Sequence, residues 1–259
     1  VIDPITGNYE IKNAESFMKS KNYIIPGDIK ESKNYFIDDE EENEFHIVKG
    51  QIGEGATSVT YKVIDKRTNT PMFKKVLKYK EGQTSIKDAQ RAMNEFQVLY
   101  NISHPCICRA LGINISEVLE ITNKKGQDEE ITTIALFLEY LEYGLGDILK
   151  TKINNTFKIR IVLDIAHAMN FLHQNGMIHR ELKIENIMLN EFFEVKLVDF
   201  GLIRITESVL NEYAYVEESM TKGIGTLSYM SPEMMNEEDY DNKTDVYSFY
   251  SYEIDLSTF

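Results

Sequence analysis

The sequence predicts an α+β fold, with strands gathered in the first half of the chain and helices in the second. Three observations carry that expectation. Residues 45 to 139 hold short β-rich runs broken by turn residues, with one helical pattern among them. Residues 156 to 175 carry apolar side chains at helical spacing. The last stretch, "DVYSFYSYEIDLSTF", reads as the start of another apolar helix. With 42% apolar and 27% charged residues, 259 residues suffice for one large soluble domain or two small ones.

Residues 1 to 45 are polar and end in "DDEEENE", residues 38 to 44. Such an acidic run repels itself and stays solvated, so the segment is expected to be a leader or linker. From Phe45, "FHIVKGQIGEGATSVTYKVID" predicts strand, glycine turn, strand. "TPMFKKVLKY" predicts a third strand after the "RTNT" turn. Residues 84 to 102 fit an amphipathic helix, with Thr84 or Ser85 as N-cap and Ala92, Glu95 and Leu99 on one face. A polar loop, "TNKKGQDEE", precedes "ITTIALFLEYL", an apolar run expected to be a buried strand. The helix at 156 to 175 is expected to turn Ile159, Val162, Ala166, Met169 and Leu172 inward and to stop at Gly176. Two short apolar runs follow, "NIML" and "EVKLVDF", then a polar stretch from 202 to 225.

The net charge of -14 argues against a nucleic-acid partner and against an anionic membrane surface, because both need basic patches. No window approaches the ~18 apolar residues of a membrane helix. The first residues, "VIDPITGNYE", lack the basic-then-apolar order of a signal peptide. The leading valine reads as a fragment or a trimmed chain. Cys106 and Cys108 are the only cysteines. A zinc site would need a second ligand pair, and a disulfide between such close neighbours is geometrically poor. They read as two reduced core thiols in a cytoplasmic protein.

Chemistry concentrates in a few motifs. "IGEGATSVTYKV" is a Gly-x-Gly turn between strands, and glycines let backbone N–H groups come close to phosphate oxygens. Lys75 on a strand and Glu95 on a helix matter if the glutamate holds the lysine against a polyphosphate. "HRELKIEN", residues 179 to 186, precedes "DFG" at 199 to 201. Asn186 and Asp199 supply the oxygen ligands that Mg²⁺ prefers. Lys183 could neutralise a transferring phosphoryl group.

In order and spacing these motifs resemble the eukaryotic protein kinase superfamily, of serine/threonine type in the tyrosine-kinase-like group. "HP" at 104 to 105, "FLEYLEYG" at 137 to 144, "GTLSYMSPE" at 225 to 233 and "TDVYSF" at 244 to 249 extend the likeness over about residues 46 to 259. The resemblance implies a bilobal fold: an N-lobe of antiparallel sheet plus one helix (about 46 to 138), a hinge (about 139 to 144) with Leu138 as gatekeeper, and a mainly helical, partial C-lobe (145 to 259). It implies ATP and Mg²⁺ as cofactors and a protein Ser/Thr hydroxyl as substrate. Ile52, Gly53, Glu54, Gly55, Ala56, Thr57, Ser58 and Thr60 would line the nucleotide. Lys75 would contact its α- and β-phosphates and pair with Glu95. Glu139 and Leu141 would offer backbone groups to adenine. Glu181 stands where the family has the aspartate base, Lys183 would contact the γ-phosphate, and Asn186 and Asp199 would hold magnesium. Arg180 implies control by activation-loop phosphorylation, with Ser219 and Thr221 as sites.

The chain departs from the family in five ways. Ser58 replaces a glycine and Thr60 a valine, both mild changes. Phe73 stands where an alanine roofs the purine slot, and its ring is expected to crowd adenine. If Lys74 were the strand lysine, Met72 would take that place, but counting from the glycine turn favours Lys75. Glu181 has an extra methylene, which moves its oxygens by about 1 Å; a misplacement of ~1 Å can slow catalysis ~10²-fold. The resemblance also implies further helices beyond Phe259, one bearing an arginine partner for Glu233. Without them Glu233 is expected to be a buried carboxylate lacking a partner, with apolar surface exposed nearby. Two readings follow: a serine/threonine kinase slowed at Glu181, or a pseudokinase or truncated kinase-like module that binds scaffold partners without turnover.

Overall fold

The computed structural model describes residues 45–55, 58–77, 86–122, 128–205, 226–236 and 238–258. The chain forms two compact units, Val1–Phe96 with Ala110–Tyr140, and Gln97–Arg109 with Leu141–Phe259. The α+β class holds: the first unit is a sheet with a helix, and the second carries most of the helices.

In the first unit β1 (Phe45–Glu54), β2 (Ser58–Asp65), β3 (Thr70–Leu77), β4 (Ala110–Thr122) and β5 (Asp128–Glu139) form one antiparallel sheet in the order β1-β2-β3-β5-β4. The strand β4 is absent from the sequence expectations. The loop between β4 and β5 is shorter than "TNKKGQDEE", because pairing continues out to Thr122 and Asp128. Helix α1 spans Ile86–Asn101 and buries Ala92, Glu95 and Leu99, the face expected of it. Its N-cap candidates Thr84 and Ser85 lie outside the described residues.

Strand pleating sorts β3 into two faces. Met72 and Val76 join Val63, Ala135 and Phe137 in a buried cluster, with Tyr61 and Leu111 against it. Phe73, Lys75 and Leu77 point the other way. Across the ladder they meet Lys62, Thr60 and Ser58 on β2, and Phe73 and Lys75 meet Leu138 and Leu136 on β5. Lysine 75 thus stands on a wall whose neighbours Leu136 and Leu138 are buried.

The second unit opens with β6 (Tyr143–Gly144) and α2 (Leu145–Leu149), followed by the long helix α3 (Asn155–Gln174). Asn154 caps α3 by accepting the Phe157 N–H at 2.8 Å. Gly176 ends it at φ 66, a left-handed conformation that favours glycine. The inward face of α3 differs from expectation. Ile161, Ile165, Ala168, Met169 and Leu172 are buried, while Ile159 is 60% exposed. The segment has apolar residues on nearly every side, so two faces fit a helical period, and packing selects one of them.

Beyond α3 come β7 (Met177–Ile178), β8 (Ile187–Leu189), β9 (Val195–Leu197) and β10 (Arg204–Ile205). β8 pairs with β6 and β9, and β10 with β7. The segment around Ile107 adds to β9 through Cys108 N–H to Leu197 O and Leu197 N–H to Cys106 O. Both cysteines are free, but only Cys108 is buried; Cys106 is half-buried rather than a core thiol. Burial, then Asp164, pushes the Cys106 thiol up from its ordinary value, so it stays protonated.

The chain closes with α4 (Pro232–Met235) and α5 (Lys243–Thr258). The helix expected at the end of the sequence is present; among its residues of described burial, 243–251, Thr244, Asp245 and Ser248 are buried, while Val246, Tyr247 and Tyr250 are exposed. Thr244 shares a hydrogen bond with Ser231 at 2.8 Å, and Ser248 donates to Tyr229 O at 2.7 Å. Glu233, expected to be buried, is only partly so.

Candidate functional site

The first unit builds a lysine–carboxylate pair between sheet and helix. Lys75 Nζ lies 2.8 Å from both oxygens of Glu95, whose side chain is 3% exposed. The lysine in this pair is Lys75; the neighbouring Lys74 is on the other face, 5.9 Å from the Phe137 ring centre. Charge-assisted bonds from one ammonium to two carboxylate oxygens fix the lysine head.

Phe73, two residues upstream on the same face, is buried with its ring 5.0 Å from Tyr140. Lys62, its cross-strand partner, sets its ammonium 3.7 Å from the centre of the Tyr140 ring. This part of the sheet face is therefore filled with aromatic carbon.

The glycine turn joins β1 and β2. Gly55 N–H donates to Ser58 O at 2.9 Å, and Ser58 is buried. A Cβ on Gly53 would meet Thr60 no closer than 3.7 Å, and one on Gly55 would meet Ser58 at 3.7 Å, both ordinary contacts. Neither glycine has a positive φ. Among the described residues, nothing crowds a Cβ at either glycine. Ile52 and Glu54 are exposed and Thr60 is half-buried. Ala56 and Thr57 lie outside the described residues. Glu139 ends β5 in register with Met72, and Leu141 is buried in the second unit.

The second unit builds its site from one loop. Lys183 Nζ lies 2.6 Å from Glu181 Oε1 and 3.1 Å from Thr226 Oγ1. Asn186 Nδ2 donates to the Glu181 carbonyl at 2.8 Å, closing the loop on itself. That bond orients the amide so that Oδ1 remains an acceptor. Asp199 precedes buried Phe200, and both Arg180 (φ 66) and Asp199 (φ 64) are in the left-handed region. Such backbone costs of order 1 kcal/mol or more for a side chain with a Cβ and clusters at functional sites. An amide oxygen and one carboxylate suit Mg²⁺, which keeps several waters and takes few protein ligands. Among the described residues no three His, Cys, Asp or Glu side chains gather as a metal cluster. Ser219 and Thr221 lie outside the described residues.

Asp245 is the residue that sequence reading passed over. Its carboxylate, 1% exposed, accepts the backbone N–H groups of His179 and Arg180, each at 2.8 Å, and meets His173 Nε2 at 2.9 Å. The N-terminal turn of α5 thereby holds the start of the loop that carries Glu181 and Lys183. The signal was the acid inside "TDVYSF": a charged residue in an otherwise apolar helix pattern needs a buried reason. His179 itself is fully buried and edge-on to Phe200 at 5.0 Å. Burial pushes its pKa down, against the opposing charges of Asp245, Asp199 and Glu181.

A two-unit fold, a sheet lysine paired to a helix glutamate, and a loop joining carboxylate, lysine and asparagine together define a phosphotransferase-like class. The protein kinase domain family model matches residues 46–253, and the chain belongs to that family. It is 30% identical over 206 residues to a probable serine/threonine-protein kinase of Dictyostelium discoideum, covering 78% of this chain and 20% of that protein. It is 31% identical over 194 residues to the human receptor-interacting serine/threonine-protein kinase 1, covering 71% of this chain and 26% of that one. For a calmodulin-binding receptor-like cytoplasmic kinase of Arabidopsis thaliana the identity is 30%, over 80% of this chain and 48% of the relative. The chain thus spans between a fifth and a half of these relatives. Protein kinases in general use ATP with a divalent metal and act on proteins. Among the described residues, no helix is long and apolar enough to cross a membrane.

Proposed function

We propose that residues 46–259 form a protein serine/threonine kinase domain, following a leader at 1–45, with turnover slowed at Glu181. The observation that carries this reading is the loop in which Lys183 holds Glu181 and Thr226 at once while Asn186 closes back on the Glu181 carbonyl. Mg-ATP, when bound, supplies the γ-phosphoryl group. Ile52, Gly53 to Ser58 and Thr60 approach the nucleotide, Glu139 and Leu141 offer it backbone groups, and Lys75, steadied by Glu95, holds its phosphates. Asn186 and Asp199 hold the metal. Glu181 accepts the proton of a substrate Ser or Thr hydroxyl, and Lys183 offsets negative charge at the transferring group. Phosphorylation at Ser219 or Thr221 governs activity through Arg180. The placement in the tyrosine-kinase-like group belongs to this reading.

A second reading is a kinase-like module that engages scaffold partners without turnover. The packing of Phe73 on Tyr140 favours it, because it fills the sheet face beside Lys75.

A thermal melt with and without Mg-ATP, followed by transfer of labelled γ-phosphate to a Ser/Thr protein substrate, tests the choice. A ligand that binds only the folded chain raises Tm by mass action. A raised Tm with slow transfer that disappears in Lys183→Met supports the kinase. A cooperative melt indifferent to Mg-ATP, with no transfer, supports the module.

A further inference from the structure

The second unit brings two arginines to one tyrosine: Arg204, and the Arg180 already named in the proposed regulation. Arg180 Nη1 donates to Tyr240 Oη at 2.9 Å, and its Nε donates to Leu202 O. Arg204 lays its guanidinium over the same ring, 5.6 Å from the centre, with Nη1 3.5 Å from Tyr240 O. The fold explains the meeting. β10 pairs with β7 so that Arg204 lies opposite Ile178, two residues before Arg180. Tyr240 sits five residues before Asp245, whose carboxylate holds the Arg180 N–H. Three separate segments are therefore fixed around one phenol, which is partly exposed.

We propose that Tyr240 is a phosphorylation site whose phosphate is clamped by Arg180 and Arg204. Guanidinium forks match phosphate oxygens bidentately, and a phosphoryl group adds charge of about -1.5 to -2 with three strong acceptors. In the modification, a tyrosine-directed kinase joins the γ-phosphorus of ATP to Tyr240 Oη. The bond to the β-phosphate oxygen breaks, ADP leaves, and the phenolic proton passes to that enzyme's base. Nearby acids oppose the phosphate: Asp239 and Asp241 are exposed, and Asp241 is partly offset by Lys243 Nζ at 3.3 Å. Arg180 Nη1 is 2.9 Å from the phenol oxygen and the Arg204 guanidinium 5.6 Å from the ring centre, in a half-buried setting where charge pairs count for more. A clamped phosphate would tie β10 to the catalytic loop through Arg180.

The test needs no turnover, so it stands apart from the kinase reading. Phosphotyrosine is installed at position 240 of the full chain by genetic-code expansion, and its second ionisation is followed by ³¹P NMR. A free phosphate of this kind titrates near about 6. The clamp predicts a midpoint at least about one unit lower, moved back upward by Arg204→Gln and by Arg180→Gln. It also predicts a Tm above that of the unmodified chain. A midpoint at or above the free value, or one that neither arginine substitution moves, overturns the proposal. A phosphorylated chain that melts below the unmodified one overturns it too. Should Arg180→Gln fail to fold, Arg204→Gln, which loses the stacking on the Tyr240 ring and the contact to Tyr240 O, still decides.

Discussion

Lys75 reaches Glu95 across twenty residues of chain, from a strand to a helix, whereas Lys183 reaches Glu181 across two, within one loop. Each lysine has an oversized residue two positions upstream, Phe73 in the first unit and Glu181 in the second. The consequences differ because the surroundings differ. Phe73 is in the middle of a sheet, paired on both sides to Lys62 and Leu138, so its ring must occupy whatever space the face offers. Glu181 is in a loop and can fold its extra methylene back onto Lys183 at 2.6 Å. Surplus volume in a sheet is fixed in place, while surplus length in a loop can be absorbed.

Phe73→Ala should give the largest effect. Removing a buried phenyl ring costs about 3 kcal/mol or more, read as a lower urea midpoint. The same change should enlarge the Tm rise produced by Mg-ATP. A stability loss with no gain in ligand response would mean that the ring does not restrict the nucleotide, and the contrast with Glu181 would lose its first half.

The two ion pairs should separate next. Glu95→Ala removes the carboxylate from a lysine head that is 15% exposed, and breaking a buried pair costs about 3 kcal/mol. Glu181→Ala should cost about 1 kcal/mol, because Lys183 keeps Thr226 at 3.1 Å and Asn186 holds only the backbone of residue 181. Equal losses in chemical denaturation would break the distinction between tertiary and local pairs. Activity should show the reverse sensitivity to length. Glu181→Asp restores the shorter reach and should raise the phosphotransfer rate by up to ~10²-fold; an unchanged or lower rate refutes the claim that reach limits this site.

How far these features could be read in advance follows the same division. The contacts of Glu181 with Lys183 and Asn186 fall within one short motif, "HRELKIEN", whereas Thr226, 43 residues from Lys183, was not read as its partner. The Lys75–Glu95 pair was legible only through resemblance, since composition says nothing of a contact twenty residues long. β4 escaped because Gly112 and Asn114 interrupt any apolar alternation; its ladder with β5 shifts register at both places. The face of α3 was misread because Ile159 and Ile161 offer competing stripes, and only burial separates them. Asp245 escaped because a hydrogen-bond hub is defined by its partners, and His179 and Arg180 lie 66 and 65 residues away.

The smallest effect expected is with pH, and it sharpens the account of the second unit. Burial depresses His179 and also His104, the latter with help from His167 and Lys196, below the ordinary histidine value of 6.5. The unfolded chain therefore binds protons that the folded chain refuses as pH falls below that value. Stability from these groups is fully present above pH 6.5 and declines as pH drops toward their folded values. Tm measured across pH 5.5 to 7.5 (a range bracketing the ordinary value) should fall toward acid. His179→Asn should flatten that slope, while His104→Asn removes the remainder. A slope that persists in the double variant would place the proton uptake elsewhere.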